Sequence, residues 1–147
     1  MRELPRKLSV DELSELFEGR TVLVERLAEL DDPLGRADEA VASFTEEEKV
    51  EALAAHPAIG QTAGLSARSA AEQGTEEDDP CVRADLATLN IAYERKFGFR
   101  FVVFVNRRPK SEILEVLRTR LGRSREEELD TGCRELVAIA KDRWIRT

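Results

Sequence analysis

Apolar residues recur every three or four positions along most of this chain, which is the period of an amphipathic α-helix. Val10, Leu13 and Phe17 form the first stripe. Ser9 and Glu12 stand before it in the Ser-x-x-Glu pattern that closes a helix N-terminus, and Gly19 stops it. Thr21 is placed to cap a second helix, with Leu23, Leu27 and Leu30 inward and Asp31-Asp32-Pro33 as its breaker. A weaker third stripe runs through Leu34, Val41 and Phe44. Thr45 and Glu48 repeat the capping pattern ahead of Val50 and Leu53. That helix ends at His56-Pro57, because a residue before proline is pushed out of the helical region.

Residues 60–65 read as a loop, 66–73 as a short helix and 74–80 as a charged, solvated linker. Val82, Leu86, Leu89, Tyr93 and Phe97 then make a clear apolar face, with Asn90 beside it. Pro109 opens a further helix with Ile113, Leu114, Leu117 and Leu121 inward and Gly122 as its stop. Ser124 and Glu127 cap the last helix, which turns Leu129, Cys133, Leu136, Ala140 and Trp144 to the core. The most apolar run, residues 97–105, is aromatic and β-branched, so propensity alone says strand. No second convincing strand exists to pair with it, and it reads as an extended or partly helical segment buried in a helical protein. The expectation is a single all-α domain over residues 1–147 with about seven or eight helices.

Composition narrows the class further. The chain is 41% hydrophobic and 36% charged, the profile of a globule with a proper core rather than a disordered chain. Its 23 basic and 30 acidic residues give a net charge of -7 with no basic block, which argues against phosphate-driven nucleic-acid binding. No apolar run is long enough to span a bilayer, and the charged start, residues 1–9, is not expected to be a signal peptide. Cys81 and Cys133 make no Cys-x-x-Cys pair, and with one histidine a zinc site is not expected. Free thiols in a reducing cytoplasm are the plain reading.

His56 is the only histidine, hence the only side chain whose ordinary pKa lies near neutrality. Ser69, Glu72 and Gln73 follow it with a hydroxyl, a carboxylate and an amide that share one face if that piece is helical. A histidine opposite such a cluster can move protons and hold a polar ring. Each residue also has a plainer role. A histidine before proline is commonly a helix-end residue, Ser69 with Glu72 fits a capping box, and Gln73 fits a solvated helix end. Asn90 and Tyr93 read as structural braces, and Lys96 and Arg100 as solvated.

Taken in order, His56-Pro57-x-x-Gly60, Ser69-x-x-Glu72-Gln73 and Asn90-x-x-Tyr93-x-x-Lys96-Phe97-Gly98-Phe99-x-Phe101 resemble one family closely. It is the 2-oxo-4-hydroxy-4-carboxy-5-ureidoimidazoline (OHCU) decarboxylase family of urate degradation. Arg120-Leu121-Gly122 and the stretch from Ile139 to Trp144 are similar to its closing helices. Where the family usually has a Ser-Pro-Trp turn, this chain has Thr21-Val22-Leu23, a departure that bears on the pocket's N-terminal side and on substrate scope.

The resemblance implies an all-α fold, a segment 97–105 that walls the active site without being a strand, and conversion of OHCU to (S)-allantoin. No cofactor and no metal are implied, because a ring C=N bond in the substrate accepts the electrons that decarboxylation releases. By resemblance His56 is the proton-transfer residue, and Glu72 is its partner or the group polarising the ring. Ser69 and Gln73 would hydrogen-bond the ureido or ring amide groups, Pro57 would shape the turn, and Phe101 would belong to the wall of the substrate site. Arg143 corresponds to a substrate-binding arginine of the last helix, or else is an ion-pair residue. The implied partner is the small-molecule substrate, with no nucleic acid or membrane, in a cytoplasmic protein that the family pattern makes a homodimer. The competing reading is a non-catalytic helical relative that binds a ureido or purine-derived ligand, or a protein.

Overall fold

The structure, a computed structural model, describes residues 3–59 and 79–146. Ser69, Glu72, Gln73 and the expected helix over 66–73 lie outside the described residues. Among the described residues there are seven α-helices and no strand, in line with the all-α expectation. They are α1 (Val10–Leu16), α2 (Val22–Leu27), α3 (Ala37–Ala42), α4 (Glu46–Ala54), α5 (Pro80–Phe97), α6 (Lys110–Leu121) and α7 (Arg125–Arg146).

Local chemistry sets their ends. The Glu12 N–H donates to Ser9 Oγ at 3.1 Å while the Ser9 N–H donates to Glu12 Oε1 at 3.0 Å. Thr45 with Glu48 and Ser124 with Glu127 make the same reciprocal pair. Pro80 sits in the first turn of α5, where its missing N–H costs nothing, and Asp79 accepts from the Cys81 N–H at 2.8 Å. Gly98 closes α5 in the left-handed region at φ 80°, its N–H donating to Glu94 O. The third stripe yields only the short α3, and Leu34 is buried in the turn before it.

The long α7 is the hub, packing against α1, α3 and α4, while α5 and α6 pack on each other. Gly132 lets α4 come close: a Cβ there would stand 3.2 Å from Leu53 Cδ2. The core runs continuously through Leu13, Phe17, Leu27, Leu53, Leu86, Tyr93, Leu117 and Ala140.

The segment between α5 and α6 is extended and has no partner strand among the described residues. Phe99, Phe101, Val102, Val103 and Val105 are buried, so its backbone needs partners away from water. Side chains supply them. Arg120 Nη1 donates to Val102 O at 2.8 Å, Arg108 Nη2 to Phe104 O at 2.6 Å, and the Phe104 N–H donates to Glu135 Oε1 at 3.3 Å.

A buried charge cluster locks the α5–α6–α7 corner. Glu128 is fully buried, and its Oε1 accepts from Tyr93 Oη at 2.6 Å and from Arg120 Nε at 2.7 Å. Its Oε2 accepts from Arg123 Nη1 at 3.0 Å. Arg120 also lies over the Phe101 ring, 4.6 Å from its centroid. Burial, and then the hydrogen bond to Glu128, push the Tyr93 hydroxyl well above its ordinary pKa.

Candidate active site

His56 stands where α4 runs out. Its N–H still donates to Leu53 O at 3.2 Å, and Pro57 then forbids another helical turn. The residue is 7% exposed, and its buried Nδ1 has no hydrogen-bond partner among the described residues. Burial first, and then the charge of Arg143, push the imidazole pKa down to about 4. Glu18 pulls the other way and Arg100 adds to the lowering. The ring is therefore neutral at pH 7, with a nitrogen available to accept or pass a proton.

Arg100 and Asn90 are among the groups that hold the turn that carries it. Arg100 Nη1 donates to His56 O at 2.7 Å, and Asn90 Nδ2 donates to Ile59 O at 3.5 Å. Asn90 is itself buried, and its Oδ1 has no partner among the described residues. Arg100 is thus not the solvated residue that its sequence position suggests: its side chain is 28% exposed and bound to backbone carbonyls. Lys96 keeps more of its exposure but donates to Leu121 O and lies over the Phe97 ring.

Arg143 reaches the same region from the last turns of α7. It is 3% exposed, with Nη1 donating to Leu16 O at 3.0 Å and Nη2 3.0 Å from Glu18 Oε1. Glu18 adopts a left-handed backbone, φ 65°, which is uncommon for a residue with a Cβ. The charges of Arg143 and Glu18 both act on the imidazole, which couples groups from three separate stretches electrostatically.

The other sequence candidates divide. Pro57 is half-buried beside His56. The Phe101 ring is committed to the core, 5.1 Å from the Tyr93 ring, so only its backbone remains for a ligand. Glu18 and Arg100 were missed by sequence reasoning. The one local signal for Glu18 is its place just before the Gly19 stop. Thr21 of the divergent turn acts as N-cap of α2, accepting from the Val24 N–H at 3.4 Å, and the Val22 N–H donates to Glu51 Oε1 at 2.8 Å. The departure therefore leaves the capped turn intact. Among the described residues no group of three or more His, Cys, Asp or Glu side chains is placed to hold a metal ion. No helix among them is long and apolar enough to cross a membrane.

Comparison with known proteins matches residues 2–144 to the family described as OHCU decarboxylase. The chain belongs to the OHCU decarboxylase family. It is 31% identical over 142 residues to the 2-oxo-4-hydroxy-4-carboxy-5-ureidoimidazoline decarboxylase of Haloferax volcanii, covering 90% of this chain and 84% of that one. It is 32% identical over 105 residues to the uric acid degradation bifunctional protein TTL of Arabidopsis thaliana, covering 66% of this chain and 32% of that longer one. The fold is similar to a crystal structure of OHCU decarboxylase in the presence of (S)-allantoin. The TM-score is 0.76 at 21% identity, over 92% of this chain and 96% of that one. The OHCU decarboxylase fold thus extends across α1 to α7.

Proposed function

We propose that this protein is a carboxy-lyase that converts OHCU to (S)-allantoin in urate breakdown, with His56 as its proton-transfer residue. The observation that carries this reading is a buried imidazole whose Nδ1 has no partner among the described residues, under the charge of an arginine paired with Glu18. The named activity of the Haloferax volcanii relative supports the substrate.

The chemistry follows from the substrate. Loss of carbon dioxide leaves an electron pair on the ring carbon that carried the carboxylate, and the adjacent C=N bond accepts it. The reaction needs the carboxylate bond held perpendicular to the ring, removal of the hydroxyl proton, and a proton delivered to one face of the neighbouring carbon. Neutral His56 takes the hydroxyl proton as carbon dioxide leaves. It, or an acid paired with it, then delivers a proton to carbon, and water protonates the ring nitrogen that received the electron pair. A contribution of roughly 10²–10⁴-fold is ordinary for such a group. Arg143 meets the substrate's negative charge while Glu18 fixes its guanidinium. Glu72 partners His56 or polarises the ring, Ser69 and Gln73 bind ureido or amide groups, and Pro57 and the Phe101 backbone shape the pocket. The substrate supplies its own electron sink, so this route calls for no cofactor. A homodimer in the cytoplasm belongs to the same proposal.

The test uses OHCU generated freshly from urate and followed by circular dichroism, with wild type and His56→Ala side by side. OHCU also decays spontaneously to racemic allantoin, so the signal sought is optical activity. Rapid growth of an (S)-allantoin signal that is lost in folded His56→Ala is the expected result. A signal that survives in the variant would overturn the role of His56. No signal above the uncatalysed decay with folded wild type would overturn the reaction.

A further inference from the structure

Arg100 lies two residues beyond the left-handed Gly98 that ends α5, at the start of the extended segment. Its side chain turns back across the molecule to a part of the chain 44 positions earlier, with Nη1 2.7 Å from His56 O. The same Nη1 is 3.4 Å from Ala54 O, and Nε is 3.4 Å from Glu94 Oε1. One guanidinium therefore bridges the last turn of α5 and the end of α4.

The end of α4 needs such a group. The last carbonyls of a helix have no intrahelical donor. Pro57 carries no N–H that could turn back to them. A cation at a helix C-terminus is also favoured by the helix dipole. The carbonyl that Arg100 holds belongs to His56 itself, so the contact constrains the ψ angle of the residue carrying the imidazole. A structural cap would need only a donor. A fork anchored by Glu94 fixes direction as well.

We propose that Arg100 is a positioning residue for His56: by clamping the His56 carbonyl it sets the aim of the imidazole, and it places a positive charge beside that ring. Among the described residues, the charged groups acting on the imidazole are Arg143 from α7, Glu18 from the turn after α1, and Arg100 from the segment after α5, whose own counter-ion is Glu94 on α5. Arg100 and Arg143 both disfavour the imidazolium and Glu18 favours it. Removing the charge of Arg100 therefore raises the His56 pKa. An enzyme that needs a neutral imidazole then loses activity at a higher pH than wild type does.

The kinetic part of this inference rests on the decarboxylase reading above, and the titration part does not. Because His56 is the only histidine, its imidazole resonances are unambiguous in an NMR titration. Wild type, Arg100→Gln and Arg100→Lys are titrated, and their kcat and KM are measured against pH. In Arg100→Gln the His56 pKa is expected to rise by about half a unit or more. Its kcat is expected to fall about ten- to a hundredfold, with the acid limb of kcat/KM moved to higher pH. Arg100→Lys keeps the charge but loses the fork, so it holds the pKa near wild type and recovers only part of kcat.

A folded Arg100→Gln with unchanged His56 pKa overturns the proposal, whether or not its stability has dropped. If Arg100→Gln does not fold, Arg100→Lys with full wild-type kcat overturns the positioning role. A shifted pKa in a protein whose wild type shows no decarboxylation supports the Arg100–His56 coupling and sinks the reaction instead.

Discussion

Arg143 Nη2 lies 3.0 Å from Glu18 Oε1, with the arginine side chain 1% exposed and the glutamate 14%. A charge so deep is tolerated only when it is paired and hydrogen-bonded. Here the second guanidinium nitrogen is held by Leu16 O at the end of α1. The pair thus joins the last helix to the first and fixes a guanidinium whose charge acts on the imidazole.

Glu18→Gln should leave Arg143 without this counter-charge. Breaking a buried pair costs about 3–5 kcal/mol, and partial exposure of Glu18 puts this case near about 3 kcal/mol. The effect is read from urea denaturation. The His56 pKa should move down at the same time, because the charge of Glu18 raises it. An unchanged denaturation midpoint would show that the pair contributes nothing net.

His56 makes stability depend on pH. Its folded pKa is about 4, against 6.5 for an unperturbed histidine, so below 6.5 the unfolded chain takes up a proton that the folded chain refuses. The contribution is complete above 6.5 and is lost as pH falls towards 4. Between pH ~7.5 and ~4.5 it amounts to about 2.5 kcal/mol. His56→Gln cannot titrate, so over that interval its unfolding free energy should fall by that much less than wild type's. Parallel pH dependences in the two proteins would contradict the buried neutral ring.

The Tyr93–Glu128–Arg120 cluster is a stability element of the corner that carries the extended segment. Glu128→Gln leaves Arg120 buried and unpaired, an expected loss of about 3–5 kcal/mol. Tyr93→Phe leaves both arginines on Glu128 and should cost about 1–3 kcal/mol. Because the groups share one carboxylate, the double variant should lose less than the sum of the singles. Strict additivity in that cycle would argue against coupling.

Gly98→Ala tests the backbone alone. A Cβ there meets no atom within 4 Å, yet φ is +80°. The expected cost is about 1 kcal/mol from left-handed strain, visible as a lower Tm with an unchanged far-ultraviolet spectrum. A loss several times larger would mean that the α5 exit is more tightly constrained than its surroundings suggest.

What the sequence determined by itself is what neighbours along the chain decide. The pairs Ser9–Glu12, Thr45–Glu48 and Ser124–Glu127 are three residues apart, so their hydrogen bonds exist as soon as one helical turn forms. Pro80, Gly98 and the apolar stripe from Leu86 to Phe97 act over the same range, as does the break at His56-Pro57. The all-α class and the place of the lone histidine were legible for that reason. Tertiary packing alone decided the fate of the charged residues. Arg100 and Glu128 look like surface residues in the sequence, and Arg143 reads there as either a substrate-binding or an ion-pair residue; in the fold each is bound by groups far away along the chain. The β-branched run before Asn106 stays extended with no partner strand among the described residues, because Arg120, Arg108 and Glu135 meet its backbone. A charge is buried or solvated according to whether packing brings it a counter-charge or a carbonyl, and no local spacing encodes that.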